Sequence, residues 1–252
     1  MRLGNELIEY TSLMGVAKVN KKLKSKAILG FAGGALIALG FLACIRIAAL
    51  FQGDLQGLGT FLGASIFPIG LIIIILAGGE LFTGNIMVVS MSFYDKKVSF
   101  KQMCINWLQI FLFNAIGAIF IAYFLAYSTG LLTEGVFVEQ VIRLAELRVD
   151  QTFNQALLSA IGCNWFVSMG VYLSYTSKSI SGKILAAWFP VMAFIIVGFQ
   201  HSVANLFLLP LAVFVGAYGW SDVMMNAIPV VIGNIIGGAV FVSALYYYSN
   251  DR

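Results

Sequence analysis

Six apolar blocks take up most of this 252-residue chain: Ala27–Phe51, Gly57–Phe93, Gln102–Ser128, Phe153–Tyr175, Ile184–Tyr218 and Val223–Tyr248. About 20 consecutive apolar residues cross a bilayer as a helix. The chain is 60% hydrophobic and 10% charged, where soluble domains carry about 25% charge. Disordered chains and nucleic-acid binders need charge that is absent here. Cys44, Cys104 and Cys163 all lie inside apolar runs and read as small hydrophobes. No redox pair, metal centre or cofactor is expected. The expected class is an all-α protein of the cell membrane, in contact with lipid along six spans.

Loop charges set the expected orientation. Twelve basic residues fall on one side: Arg2, Lys18, Lys21, Lys22, Lys24, Lys26, Lys96, Lys97, Lys101, Lys178, Lys183 and Arg252. The other side carries Arg46, Arg143 and Arg148 among Asp54, Glu134, Glu139, Glu146, Asp150 and Asp222. The basic side is expected in the cytoplasm, with both termini. Residues 1–26 form an amphipathic interfacial segment without a cleavable signal, presenting Leu3, Leu7, Ile8, Leu13 and Met14 to lipid or to the protein body. The channel body is 27–248, and 249–252 is a cytoplasmic tail.

The second and fifth blocks are too long. At 1.5 Å per residue, about 35 residues extend about 50 Å, against about 30 Å of hydrocarbon. Two full spans in each would leave each half too short, so one discontinuous span is expected. Irregular backbone at that depth survives only inside protein or along a watery path. The breaks fall at Ala77-Gly78-Gly79-Glu80-Leu81-Phe82-Thr83-Gly84-Asn85 and at Gly198-Phe199-Gln200-His201-Ser202-Val203-Ala204-Asn205. Each joins glycine to polar side chains. Glu80 is the only carboxylate within a block and His201 the only histidine. Ionisable groups at this depth are costly and mark function by default.

An offset of 120 residues aligns the breaks: Gly78 with Gly198, Glu80 with Gln200, Asn85 with Asn205, then Asn106 with Asn226, Asn114 with Asn234 and Gly117 with Gly237. Two three-span repeats follow, 27–128 and 153–248. Three is odd, so the second repeat is inverted. Paired broken helices in inverted repeats are a transport architecture with a midplane site.

At this point the chain resembles the formate/nitrite transporter family, through the two break motifs, Gly162-Cys163-Asn164-Trp165 and the run Pro229 to Gly238. The resemblance implies a homopentamer of aquaporin-like protomers, each with a pore for small monovalent anions such as formate, nitrite or hydrosulfide. It makes His201 the central pore histidine, faced by Thr83, with Asn164 and Asn205 as further pore groups. It places Phe67, Leu71, Leu81, Val167 and Phe194 at apolar constrictions, and Arg148 as an outer attractor of anions. Gly84-Asn85 stands where formate channels have Ser-Thr, and Gln200 where many members have Glu. These departures point to the hydrosulfide- or nitrite-type members. Glu80, Gln200 and Asn85 are expected to brace the loops.

His201 is expected to lend or withhold a proton at the constriction, and apolar rings are expected to exclude hydrated ions. Three alternatives stand beside a channel. A neutral-solute channel of aquaporin type would carry Asn-Pro-Ala at both breaks, where this chain has Asn85-Ile86-Met87 and Asn205-Leu206-Phe207. A proton-coupled symporter of the same anions has no distinguishing residue. An intramembrane enzyme would need a paired nucleophile and base; Glu80 and His201 at comparable break positions offer a dyad, but no Ser, Cys or Asp signature accompanies them.

Overall fold

A computed structural model describes residues 1–250; Arg252 and the end of the 249–252 tail lie outside the described residues. The elements are all helical: α1 (Gly4–Asn20), α2 (Leu23–Ala48), α3 (Gln56–Ile66), α4 (Ile69–Ile73), α5 (Phe82–Tyr94), α6 (Phe100–Phe120), α7 (Gly135–Val149), α8 (Phe153–Ser174), α9 (Ile180–Val197), α10 (Ser202–Phe214), α11 (Trp220–Gly238) and α12 (Leu245–Tyr248). Among the described residues, six helices are long and apolar enough to cross a membrane, and Ser202–Phe214 is a shorter apolar helix. The protein is a multi-pass membrane protein with the inverted-repeat, aquaporin-like arrangement.

Helix starts are written locally. Ser99 and Gln102 form a capping box on α6, and Thr152 and Gln155 form one on α8, so first-turn N–H groups are satisfied before the chain enters lipid. Outward faces are apolar, as at Leu158, Phe189 and Met225. Lipid offers no hydrophobic drive for helices to associate, so backbones must approach closely instead. A Cβ on Gly34 would fall on the Asn114 main chain, and one on Gly237 would fall on the Ile161 carbonyl. These contacts seat α2 on α6 and α8 on α11.

The second span is broken after Gly78 and the fifth after Gly198. Both glycines are left-handed, with φ of +90° and +83°, a region costly for other residues. The expectation that each half would be too short fails for the first half of each block. Gly53–Gly78, of 26 residues, and Ile180–Val197, of 18, are each long and apolar enough to cross by themselves. The break is required by the polar residues at 80–85.

The two repeats interlock. The half-helix α5 packs on α8 and α11 of the other repeat, while α10 packs on α2 and α6. Each half-helix also carries an outer strap, with α1 lying on α5 and α7 lying on α10. The segment carrying Glu139, Arg143, Glu146 and Arg148, whose charges were counted as loop charges, is therefore a helix, buried through Gln140, Val141, Ala145 and Arg148. On α1, Leu7 and Ile8 are buried against the body, whereas Leu3 and Leu13 are exposed.

Candidate pore site

The breaks are held by the same wiring. Asn114 Oδ1 accepts the Phe82 N–H at 2.8 Å, and its Nδ2 donates to the carbonyls of Gly30 (2.7 Å) and Glu80 (2.9 Å). In the second repeat, Asn234 Oδ1 accepts the Ser202 N–H at 2.9 Å, and its Nδ2 donates to Ala160 (2.8 Å) and Gln200 (3.2 Å). Water is absent at this depth, and these amides supply what it would have supplied.

A second layer follows. Asn85 Nδ2 donates to Glu80 Oε2 (2.8 Å) and Asn106 Oδ1 (3.0 Å); Asn205 Nδ2 donates to Gln200 Oε1 (2.7 Å) and Asn226 Oδ1 (2.8 Å). Asn106 and Asn226 then reach the main-chain oxygens of Lys18 (3.3 Å) and Arg148 (3.0 Å). Lys18 and Arg148 are 130 residues apart, and so are Gly30 and Ala160. The correspondence thus extends into the straps, where the 120-residue offset conceals it.

The straps differ in charge. Glu80, fully buried, accepts Lys18 Nζ at 3.0 Å and Lys21 Nζ at 2.5 Å. Burial pushes the Lys18 amine below the usual lysine range, against the pull of Glu80. At the other break, Gln200 Nε2 donates to Gln151 Oε1 at 2.5 Å and to the Arg148 carbonyl at 3.5 Å. Glu80 is thus bonded to Asn85 and to two lysines that loop charge had assigned to the membrane surface.

Arg148 is 8% exposed. Its Nη1 donates to the Gly198 carbonyl at 3.4 Å, and its Nε has no hydrogen-bond partner among the described residues. The neighbouring Glu146 and Asp150 form no salt bridge with it among the described residues.

At the centre, Thr83 Oγ1 lies 3.0 Å from His201 Nε2. His201 Nδ1 accepts the Ala204 N–H at 3.1 Å, which makes His201 the side-chain cap of α10. An accepting Nδ1 places the proton of the neutral ring on Nε2, so Nε2 donates to Thr83. The Phe194 ring lies nearly parallel to His201, centroids 5.8 Å apart, and meets Phe67 edge-on at 5.6 Å. Phe41 and Phe207, not singled out by the sequence, extend the cluster at 5.5 and 6.0 Å. Val167, Leu71 and Leu81 are buried. Leu71 and Leu81 border a cavity of about 250 Å³ beneath α1, which Glu80, Asn85 and Lys183 also line.

Asn164 and Asn205, expected as pore groups, are committed to protein partners. Asn164 Nδ2 donates to the carbonyls of Thr83 (3.3 Å) and Asn234 (2.7 Å), and its Oδ1 accepts from Ser168 at 3.2 Å.

The formate/nitrite transporter family model matches residues 5–248. The chain belongs to that family. It is a membrane transporter and not an enzyme. A relative, the formate channel BtFdhC of Bacillus thuringiensis, is 42% identical, covering 96% of this chain and 93% of the relative. A solved FNT family ion channel superposes with a TM-score of 0.88 at 27% identity, covering 97% and 99% of the two chains. A pentameric formate channel with formate bound gives 0.78 at 24% identity, covering 90% and 97%. The leaning towards hydrosulfide- or nitrite-type members is overturned by the similarity to formate channels. The reason is visible at the motif that suggested it: Asn85 is spent on Glu80 and Asn106, so that position builds the loop and reads no anion.

Proposed function

We propose that the chain conducts formate through a pore in each protomer of a homopentamer, with Thr83 and His201 at its centre. The observation that carries this reading is the chain of donors ending at Thr83. Ala204 N–H fills His201 Nδ1, Nε2–H fills Thr83 Oγ1, and the Thr83 hydroxyl proton is left for an anion. The first turns of α5 and α10 meet here, and helix N-termini favour negative charge. Phe67, Phe194 and Val167 on one side, and Leu71 and Leu81 on the other, keep the path dry and narrow. The relatives' substrate and the pentamer of the solved formate channel supply the rest of the reading.

The geometry refines the role of His201. A neutral ring that gave up its Nε2 proton would become an imidazolate, so His201 acts by hydrogen-bond donation through Thr83. Proton lending would need an imidazolium, whose Nδ1–H would displace the Ala204 cap. Asn164, Asn205, Glu80, Gln200 and Asn85 hold the walls in place. Arg148 attracts the anion on the α7 side, which the charge distribution places outside, with both termini in the cytoplasm and residues 1–26 on that face.

The test is formate uptake into proteoliposomes by wild type, Thr83→Val and Thr83→Ser. A hydrogen bond to a charged group contributes about 1.5–3 kcal/mol, so Thr83→Val should slow flux by about tenfold to a hundredfold, and Thr83→Ser should retain it. Thr83→Val with wild-type flux would sink the reading.

A further inference from the structure

The two straps carry matching residues at an offset of 130, and the pair 21/151 at their ends differs together with the pair 80/200 in the breaks. Lys21 faces Glu80 in the first repeat; Gln151 faces Gln200 at the same 2.5 Å in the second. The exchange replaces one cation and one anion with two amides. Net charge at each break is unchanged: Lys18, Lys21 and Glu80 sum to one positive charge, and Arg148 alone carries one.

The location of that charge does change. Lys18 Nζ lies 3.0 Å from the Glu80 carboxylate. Its counterpart Arg148 has a carbonyl at 3.4 Å, an unpartnered Nε and no ion pair among the described residues. A buried guanidinium stays protonated and seeks a counter-ion. Gln200 cannot provide one: its Oε1 is held by Asn205 and Asn226, and its Nε2 is a donor.

We propose that Gln200 and Gln151 together set anion affinity on the α7 side: both are uncharged, so Arg148 has no counter-ion from the protein and takes the entering anion instead. This rests on the anion-channel reading above. A carboxylate at position 200 without a cation at 151 would occupy the place that Glu80 holds beside Lys18, and Arg148 would be neutralised from within. Restoring the lysine would free it again.

The experiment measures initial rates of formate uptake against concentration in proteoliposomes. The proteins are wild type, Gln200→Glu, Gln151→Lys/Gln200→Glu and Arg148→Gln, each checked for a monodisperse elution profile and an unchanged unfolding temperature. Gln200→Glu should raise KM by about tenfold, the scale of one lost charge-assisted contact, with a smaller change in maximal rate. The double variant should return KM to about that of wild type. A folded Gln200→Glu with wild-type KM overturns the proposal, and so does a double variant as impaired as the single one. If Gln200→Glu does not fold, Arg148→Gln decides: a raised KM supports the proposal and a wild-type KM overturns it. Wild-type protein that moves no formate would overturn the underlying reading of the substrate.

Discussion

The break after Gly78 and the break after Gly198 share three asparagines that hold them and differ at the side chains that meet at the centre. Asn85, Asn106 and Asn114 recur as Asn205, Asn226 and Asn234 with matching bonds, to which Asn226 adds one to Gln200 Oε1. Leu81, by contrast, becomes His201, Thr83 becomes Val203, and Glu80 becomes Gln200. Each repeat thus gives one polar group to the centre and one apolar group at the matching place. The scaffold fixes a geometry that both halves need, and chemistry is written on the few positions the scaffold does not use.

That comparison can be broken or sharpened by mutating matched pairs and following unfolding of the purified protein. The largest difference is expected at 80 and 200. Glu80→Leu leaves Lys18 and the half-exposed Lys21 without their carboxylate and should cost about 3 kcal/mol, the low end for breaking a buried pair. Gln200→Leu loses neutral partners and should cost about 1–3 kcal/mol. Equal losses would mean that charge does not distinguish the breaks. Asn114→Leu and Asn234→Leu should each cost about 1–3 kcal/mol by orphaning one helix-start N–H and the carbonyls beside it; their values should agree, and a marked inequality would undo the claim of shared wiring. Gly78→Ala and Gly198→Ala should cost about 1–2 kcal/mol each, through the left-handed backbone. The smallest effect is expected for His201→Leu, which installs the residue of the matching position. Stability should fall by about 1 kcal/mol with loss of the α10 cap, while formate flux collapses. A variant that unfolds outright would show that the histidine is chiefly structural.

Much of this was legible in the sequence. Apolar length gave the spans, and glycine beside buried polar residues gave the breaks, because both are dictated by the absence of water in the bilayer. The 120-residue offset exposed the asparagines, since membrane-embedded amides are too costly to be incidental. The first strap was legible as an amphipathic segment, but the contacts of both straps were not. Lys18 and Lys21 look like any basic residues of a loop until folding brings them to Glu80, and in α7 the charges of Glu139, Arg143 and Glu146 mask the buried stripe of Val141, Ala145 and Arg148. The partners of Asn164 and Asn205 were not legible either: Asn164 donates to the Thr83 and Asn234 carbonyls, and Asn205 to the Gln200 and Asn226 side chains. Phe41 and Phe207 were hidden among 21 phenylalanines. Substrate type was misjudged at Gly84-Asn85 because the same asparagine does structural duty.

The first helix, finally, is no appendage to the barrel. It is the counterpart of α7, tied down through Gly15 against the Val88 carbonyl, Ser12 to Asp95 and the lysines on Glu80. Trimming the opening twenty residues to simplify expression would therefore cut into a repeat unit and bare a carboxylate in the interior, so purification handles belong at the other end of the polypeptide.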